Sequence, residues 1–508
     1  MYQPVQRVIK CGVLIHPADN LEAHAVGGFS LSFSSKDVCR FCHLVYSDLI
    51  DNIHDYGSKC HLKWTEEEYD TIAAAIEAKK AENMSLDVMD QCDSDGGSSS
   101  NEMQEEEICD GDTSDEDSSE ENSLYDIDAE NSYGINGMCP LNVLKSFHCT
   151  TGFPPDILHD VFEGVVSQDL LGIIRILSKS RWFSLENYNK SMHNLKYKSH
   201  ESNDRPQDVP LDLKVKKLKG KACSIWLHLR NFPLIIRDFI IDRDDKVFQL
   251  GMLLHELVER LTAQEFREYE ICVLEEKIIH YLDNRKELYE VYSNLLGAPK
   301  PKTHFLSHYP SAIRLYGPPM AYWTARYESR HRIAKNIAES AKNFKNISLT
   351  LSSRQQFRLA SVFYHGLYST SDLLVKSEPT SKNSVIEADD FEALHPLIKE
   401  NDYLASKIEF KGQTYELGNL VILSVASPDE IKVGLIVSFL IKKDSVYVVH
   451  KQFAAVRNSL RYFHAFDEKP PLAITDIAEL ADFKPLVNHG TTKRLIFLLH
   501  HFVSFSYT

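Results

Sequence analysis

Ser146-Phe-His-Cys-Thr-Thr-Gly-Phe-Pro-Pro-Asp-Ile-Leu-His-Asp-Val-Phe-Glu-Gly-Val-Val166 is the chemically densest stretch of the chain. Pro154 and Pro155 fix φ and lack amide hydrogens that a first helical turn leaves unpaired, so a helix is expected to begin here. At about 100° per residue, Asp156, His159, Asp160 and Glu163 share one arc, and Ile157, Leu158, Val161, Phe162, Val165 and Val166 fill the rest. The apolar side reads as a core face. Acids near a helix N-terminus also complement the macrodipole with no further role, but that reading leaves the histidine among them unexplained.

Other stretches offer chemistry on their own terms. Residues 8–16, Val-Ile-Lys-Cys-Gly-Val-Leu-Ile-His, read as a short buried strand, and Asp19 follows just beyond it. A carboxylate there is either a turn or helix-cap residue or a group placed for chemistry by the strand. Cys39-Arg-Phe-Cys42 supplies two of the four ligands of a tetrahedral zinc, with Cys60 and His61, or His148 and Cys149, as candidates for the other two. His304 and His308 are one helical turn apart, but no neighbouring acid completes a His-Glu-x-x-His pattern, so satisfied histidines are expected.

Two basic clusters stand out. Lys214, Lys216, Lys217, Lys219 and Lys221 fall within eight residues, either as a solvated edge or as a contact to a phosphate backbone. Arg326, Arg330, Arg332 and Lys335 surround Glu328 on an expected helix, where an acid is ordinarily an ion-pair partner.

The formal charge is -17, and its location matters more than its size. Residues 87–130 hold 18 Asp or Glu, and neither Lys nor Arg occurs between Lys80 and Lys145. Without them the remainder has 55 acids against 56 bases, close to neutral. Residues 85–133 therefore read as an acidic insertion too poor in hydrophobic residues to offset the entropy of ordering. Ten cysteines over 508 residues suit a reducing compartment better than a disulfide framework. No apolar run is long enough to span a bilayer, and the N-terminus lacks a signal-peptide core.

The run Phe-Pro-Pro-Asp-Ile-Leu-His-Asp-Val-Phe-Glu-Gly, ending at Gly164, resembles animal proteins derived from DNA transposons near the CACTA (En/Spm) superfamily. The resemblance extends from about residue 8 to the C-terminus. It implies an RNase H-like core with a DDE metal site and a short Asp-x-x-His motif, matched here by Asp156 and His159. Of the family pattern Gly-Asp-Asn-x-x-x-His-x-x-Gly-Gly-Phe the chain keeps Asp19, Asn20, His24, Gly27, Gly28 and Phe29, with Ala18 at the first glycine, and the resemblance makes Asp19 the counterpart of the second catalytic aspartate. Arg326-Tyr-Glu-Ser-Arg-His331 matches the helix bearing the third acid, and Glu328 takes that role. Such a site implies two Mg2+ or Mn2+ ions about 3.5–4 Å apart for in-line phosphodiester displacement. The first acid should precede Asp19, yet none of the eighteen preceding residues is Asp or Glu.

The expected fold is α/β plus α, a partial RNase H-like core interrupted by a large helical insertion, with a C-terminal small β-barrel. Its parts are a partial core with the Cys-x-x-Cys at 1–84, the acidic insertion at 85–133, the Asp-x-x-His helix with helical insertion and return helix at 134–365, a linker at 366–405, and a barrel similar to SH3-like or bromo-adjacent-homology modules at 406–508. The expected function is that of a nuclear, DNA-binding, truncated or domesticated DDE transposase without strand transfer of its own. The alternative is a non-enzymatic DNA or chromatin adaptor, or a protein-interaction scaffold working through the C-terminal barrel.

Overall fold

The computed structural model describes residues 15–31, 38–50, 63–92, 134–342, 345–364, 378–379, 398, 402–442 and 445–504. The chain divides into two compact units, 1–154 and 155–508. Most of the strand expected at 8–16 and most of the acidic insertion lie outside the described residues.

The first unit is built around Tyr69, on the long helix Glu66–Cys92, which runs past the expected end at 83. The buried Tyr69 hydroxyl lies 2.7 Å from Gly27 O and 3.0 Å from Gly137 O, and it accepts the Cys139 N–H at 3.1 Å. It thereby ties together chain on both sides of the acidic insertion. Beside it, Phe29 bridges Ile135 antiparallel, and Asn136 N–H donates to Gly28 O at 2.7 Å. Gly28 has φ +69, and a Cβ there would lie 2.1 Å from Gly137 O, so only glycine permits this approach. Ala23, Phe29, Trp64, Tyr69, Ile135, Phe147 and Phe153 form the core. Among the described residues this unit has isolated bridges but no named strand.

In the second unit, helix Ser167–Lys179 is central, with Leu170 through Leu177 buried on every side. A helix apolar all round requires neighbours all round, and helices Lys246–Leu261 and Glu268–Leu296 pack against it. Asp169, buried in this layer, accepts two hydrogen bonds from Arg285 at 2.7 and 2.8 Å and one from the Tyr281 hydroxyl at 2.5 Å. The full set of donors compensates the buried charge.

From Tyr403 the period changes to two and the chain forms an antiparallel sheet, ten-stranded when the two-residue Glu378–Pro379 is counted. Its backbone is the long hairpin Glu430–Lys442 and Ser445–Arg457. A bulge between Ile436 and Ser438 shifts the register, and with it the face to which each side chain points. Val433 and Leu435 enter one core with Phe453 and Leu495, whereas Phe439 and Ile441 enter another with Ile408 and Tyr415. One strand thus feeds two cores. The runs expected near 409–424, 433–450 and 495–499 are strands, and Phe463–Phe466, Leu472–Asp476 and Asp482–Leu486 are additional ones. Among the described residues no ladder joins the two ends of the sheet.

Helix Lys246–Leu261 fastens this sheet to the helices. The buried Glu259 accepts from Arg457 Nη2 at 2.6 Å and from Arg461 Nη2 at 3.0 Å, and Glu256 pairs with Arg461 Nη1 at 3.0 Å. Among the described residues no helix is long and apolar enough to cross a membrane.

Candidate functional site

The helix expected after the proline pair is present, but Leu158–Val166 is wound as a π-helix. Such a segment is uncommon and concentrates at functional sites. The expected polar arc is not a solvated face, since Asp160 is wholly buried and Asp156 nearly so. Asp160 Oδ2 accepts the Asp156 N–H at 3.1 Å, so one of the acids serves the turn itself.

Asp156 is held on every side. Its Oδ1 accepts the Thr324 N–H at 3.0 Å, and its Oδ2 accepts the Thr324 hydroxyl at 2.6 Å and His159 Nδ1–H at 2.6 Å. The other ring nitrogen, His159 Nε2, lies 3.4 Å from Glu328 Oε1. The Asp-x-x-His pair and the acid on the expected return helix therefore meet, although Thr324 and Asp156 are 168 residues apart in sequence. Thr324 is the N-cap of helix Ala325–Ala341, which carries Glu328 in its first turn. Its hold on Asp156 sets where that helix begins.

Burial alone would raise the Asp156 carboxyl, but hydrogen bonds from His159 and Thr324 outweigh it and hold the group below its usual range. Burial alone would lower the His159 imidazolium. Its hydrogen bond to Asp156 and the charges of Asp156, Glu163 and Glu328 raise it instead. The result is a carboxylate that fixes Nδ1–H and turns Nε2 toward an exposed acid, the arrangement by which a second partner orients a working imidazole. It can hold a proton, or a positive charge, at Nε2.

The remaining assigned residues are placed as follows. Asp19 is the N-cap of helix Asn20–Val26 and accepts the Glu22 N–H at 2.7 Å, the cap role open to it from sequence. Asp19 belongs to the first unit, and Asp156, His159 and Glu328 to the second. His24 donates its Nδ1–H to Ser30 O at 2.7 Å and is buried, so the motif residues after Asp19 shape the first unit's core. Arg326, Arg330, Arg332 and Lys335 are exposed on helix Ala325–Ala341, which buries none of its residues.

All five lysines of 214–221 are exposed, on a loop rather than a helix. The loop's backbone is nevertheless pinned. The buried Arg175 donates to Val215 O at 2.7 Å and, through Nη2, to Pro210 O at 3.2 Å and Asp212 O at 2.5 Å, while Leu218 N–H donates to Ser167 O at 2.8 Å. Sequence reasoning missed Arg175, although a lone arginine within Leu-Gly-Ile-Ile-Arg-Ile-Leu was a visible signal. It also missed Thr324, which nothing in the local sequence marks.

The metal-ligating types divide in an unexpected way. His148 has both nitrogens engaged, Nδ1 with Thr150 Oγ1 at 2.8 Å and Nε2 with Asp70 Oδ1 at 3.2 Å, and Cys149 packs in the first unit's core. Cys39 and Cys42 are buried, with Cys39 Sγ accepting the Phe41 N–H at 3.4 Å. His304 and His308, which the sequence suggested were merely satisfied, are buried with their Nε2 atoms 3.0 Å apart. Two imidazole nitrogens converge so closely only over a shared proton or a shared metal. Cys39 and Cys42 lie in the first unit and His304 and His308 in the second, each pair buried and of a residue type that can ligate a metal ion.

No protein-family model, curated protein or solved structure matches the chain.

Proposed function

We propose that this chain is a transposon-derived, nucleic-acid-binding protein of the nucleus, descended from a DDE-type transposase with an RNase H-like core. Its DNA contacts run through the lysine loop 214–221 and the arginines of helix Ala325–Ala341. The observation that carries the reading is Arg175. A buried guanidinium that gathers the loop's carbonyls inward holds the backbone still while every lysine remains in solvent. Ammonium groups presented on a fixed loop lose less entropy on meeting phosphates than the same groups on a free one.

In this reading Asp156, His159 and Glu328 are the ancestral site retained as a positioning cluster, with His159 offering Nε2–H to a phosphate oxygen. Strand transfer is not assigned to the chain. Asp156 is committed to Thr324, His159 and its own turn, and Asp19 to its helix cap, so neither fits a role as an Mg2+ or Mn2+ ligand as placed. The β-sheet is the surface available for a chromatin or protein partner.

Zinc is the assignment for the Cys39-Arg-Phe-Cys42 pair, whose two thiols are buried together in the first unit and can supply two ligands of a tetrahedral site. Elemental analysis of the purified chain should find one zinc per molecule, lost in Cys42→Ala. Metal-free protein that is folded and stable would refute it.

The test of the main reading is binding to duplex DNA as a function of salt. Affinity should fall steeply, with a logarithmic slope that shrinks by about 0.9 for each phosphate-contacting lysine neutralised among Lys214–Lys221. Absence of DNA affinity at low salt would leave the protein-interaction scaffold.

A further inference from the structure

Helices Ala325–Ala341 and Ile347–Tyr364 pack against each other, and neither buries a single residue. Arg354 Nη1 donates to Ser340 Oγ at 3.1 Å, and Ile347 and Leu351, like Ile333 and Ile337 on the first helix, are half-buried. These residues mark the side on which the two helices meet. The other side of Ile347–Tyr364 is apolar and faces solvent: Leu349, Phe357, Leu359, Phe363 and Tyr364 are between 39% and 87% exposed.

At about 100° per residue those five side chains and Ala360 fall within one arc of roughly 160°, and the polar positions among them, Ser352, Ser353 and Gln356, carry no charge. The charged residues of the helix, Arg354 and Arg358, lie on the opposite arc. The largest apolar patch of an ordinary monomer is about 300–600 Å². Three aromatic rings and two leucines exposed to this extent amount to about 600 Å², the top of that range. The same stripe on a second copy brings the total to about 1,200 Å², where stable interfaces begin.

We propose that this stripe is a self-association surface, covered by the same stripe of a second copy of the chain across a two-fold axis. In such an isologous contact each residue meets the same face it belongs to, so a charge in the seam would oppose its own image. This stripe has none, and for the same reason it offers nothing to a partner chosen by opposite charge. Ser353 and Gln356 supply donors and acceptors within the seam, so the two copies can hydrogen-bond across the axis. The seam uses none of the lysines and arginines assigned to DNA, and the two kinds of binding can therefore fail separately.

Sedimentation of the full chain over a range of micromolar concentrations tests it, and a monomer–dimer equilibrium should appear. Phe357→Glu and Leu349→Glu place a charge in the seam at exposed positions, so each should raise the dissociation constant at least about tenfold while the far-UV circular dichroism stays that of the wild type. Arg358→Gln, on the opposite arc, should leave the dissociation constant unchanged. A dimer insensitive to both glutamates, or weakened as much by Arg358→Gln as by Phe357→Glu, overturns the proposal. So does a chain that is monomeric at every concentration. Uptake of that monomer by phosphatidylcholine vesicles would make a bilayer surface the occupant of the stripe, and failure to bind them would leave a different protein.

Discussion

Thr324 gives both of its donors to Asp156, the backbone N–H at 3.0 Å to one carboxylate oxygen and the hydroxyl at 2.6 Å to the other. Asp156 in turn holds His159, whose far nitrogen faces Glu328, so one threonine aligns three chemically active side chains.

Replacing Thr324 by Val removes the hydroxyl and keeps the shape. Asp156 then retains a buried lone pair without its donor, at a cost of about 1–3 kcal/mol in the stability of the second unit. Thr324→Ser should recover most of it. Asp156→Asn should lower the His159 imidazolium in an NMR titration, because the carboxylate charge that raises it is lost and any hydrogen bond left is to a neutral amide. An unchanged His159 titration would deny Asp156 its positioning role.

Glu259 lies between Arg457 and Arg461 with almost no exposure. Burial would raise its carboxyl, but the two guanidinium charges hold it far below the usual range. Glu259→Gln leaves two buried cations under-compensated and should destabilise the joint between sheet and helices by about 3–5 kcal/mol. Chemical denaturation followed by Trp226 fluorescence would register it, and a change below 1 kcal/mol, about the value of an exposed pair, would show the clamp to be dispensable.

Acid should unfold the second unit before carboxylates in general titrate. Burial holds His228 and His501 at about 3 and His255 and His489 at about 4, and it places His500 well below its ordinary value. Each folded value lies below the unfolded one, so the unfolded chain binds more protons once the pH drops beneath about 6.5. Each histidine then withdraws about 1.4 kcal/mol per pH unit until its folded value is reached. Asp482, raised by burial to about 6, acts in the opposite sense between about 6 and its ordinary value, and it is one group against six once His450, also lowered by burial to about 4, is counted. The urea midpoint should fall steeply from pH 6.5 to 5, and a flat profile would contradict the buried, neutral assignment.

Arg175→Met frees the carbonyls of Pro210, Asp212 and Val215 while leaving every lysine of the loop in place. Protease cleavage between residues 210 and 221 should accelerate, and DNA affinity should drop severalfold with little change in salt slope. Equal affinity in the two proteins would show that fixing the loop contributes nothing to binding.

The alternation of Val433, Leu435, Tyr447 and Val449 made the β-hairpin readable, because period two is a property of neighbouring residues. Asp156, His159 and Glu328 were readable as residue types in a pattern, but their meeting was not, since it depends on Thr324 far along the chain. The π winding at Leu158–Val166 escaped because an apolar-polar pattern over nine residues does not distinguish it from an α-helix. Asp19 kept the plainer of its two readings, a cap bonded to Glu22. The facing of His304 and His308 was hidden for a different reason, as spacing of four reports a shared side of a helix and not the burial that turns it inward.

The charge clamp of Glu259 bears on how such a molecule can be inherited. A β-module that shuffled freely between genes would arrive with its surface complete, but this one carries Arg457 and Arg461, whose counter-charge is encoded some two hundred residues earlier. Excised with its strands alone, it would expose two cations made for an interior. Recombination is therefore expected to move the sheet together with helix Lys246–Leu261 or to leave both where they are.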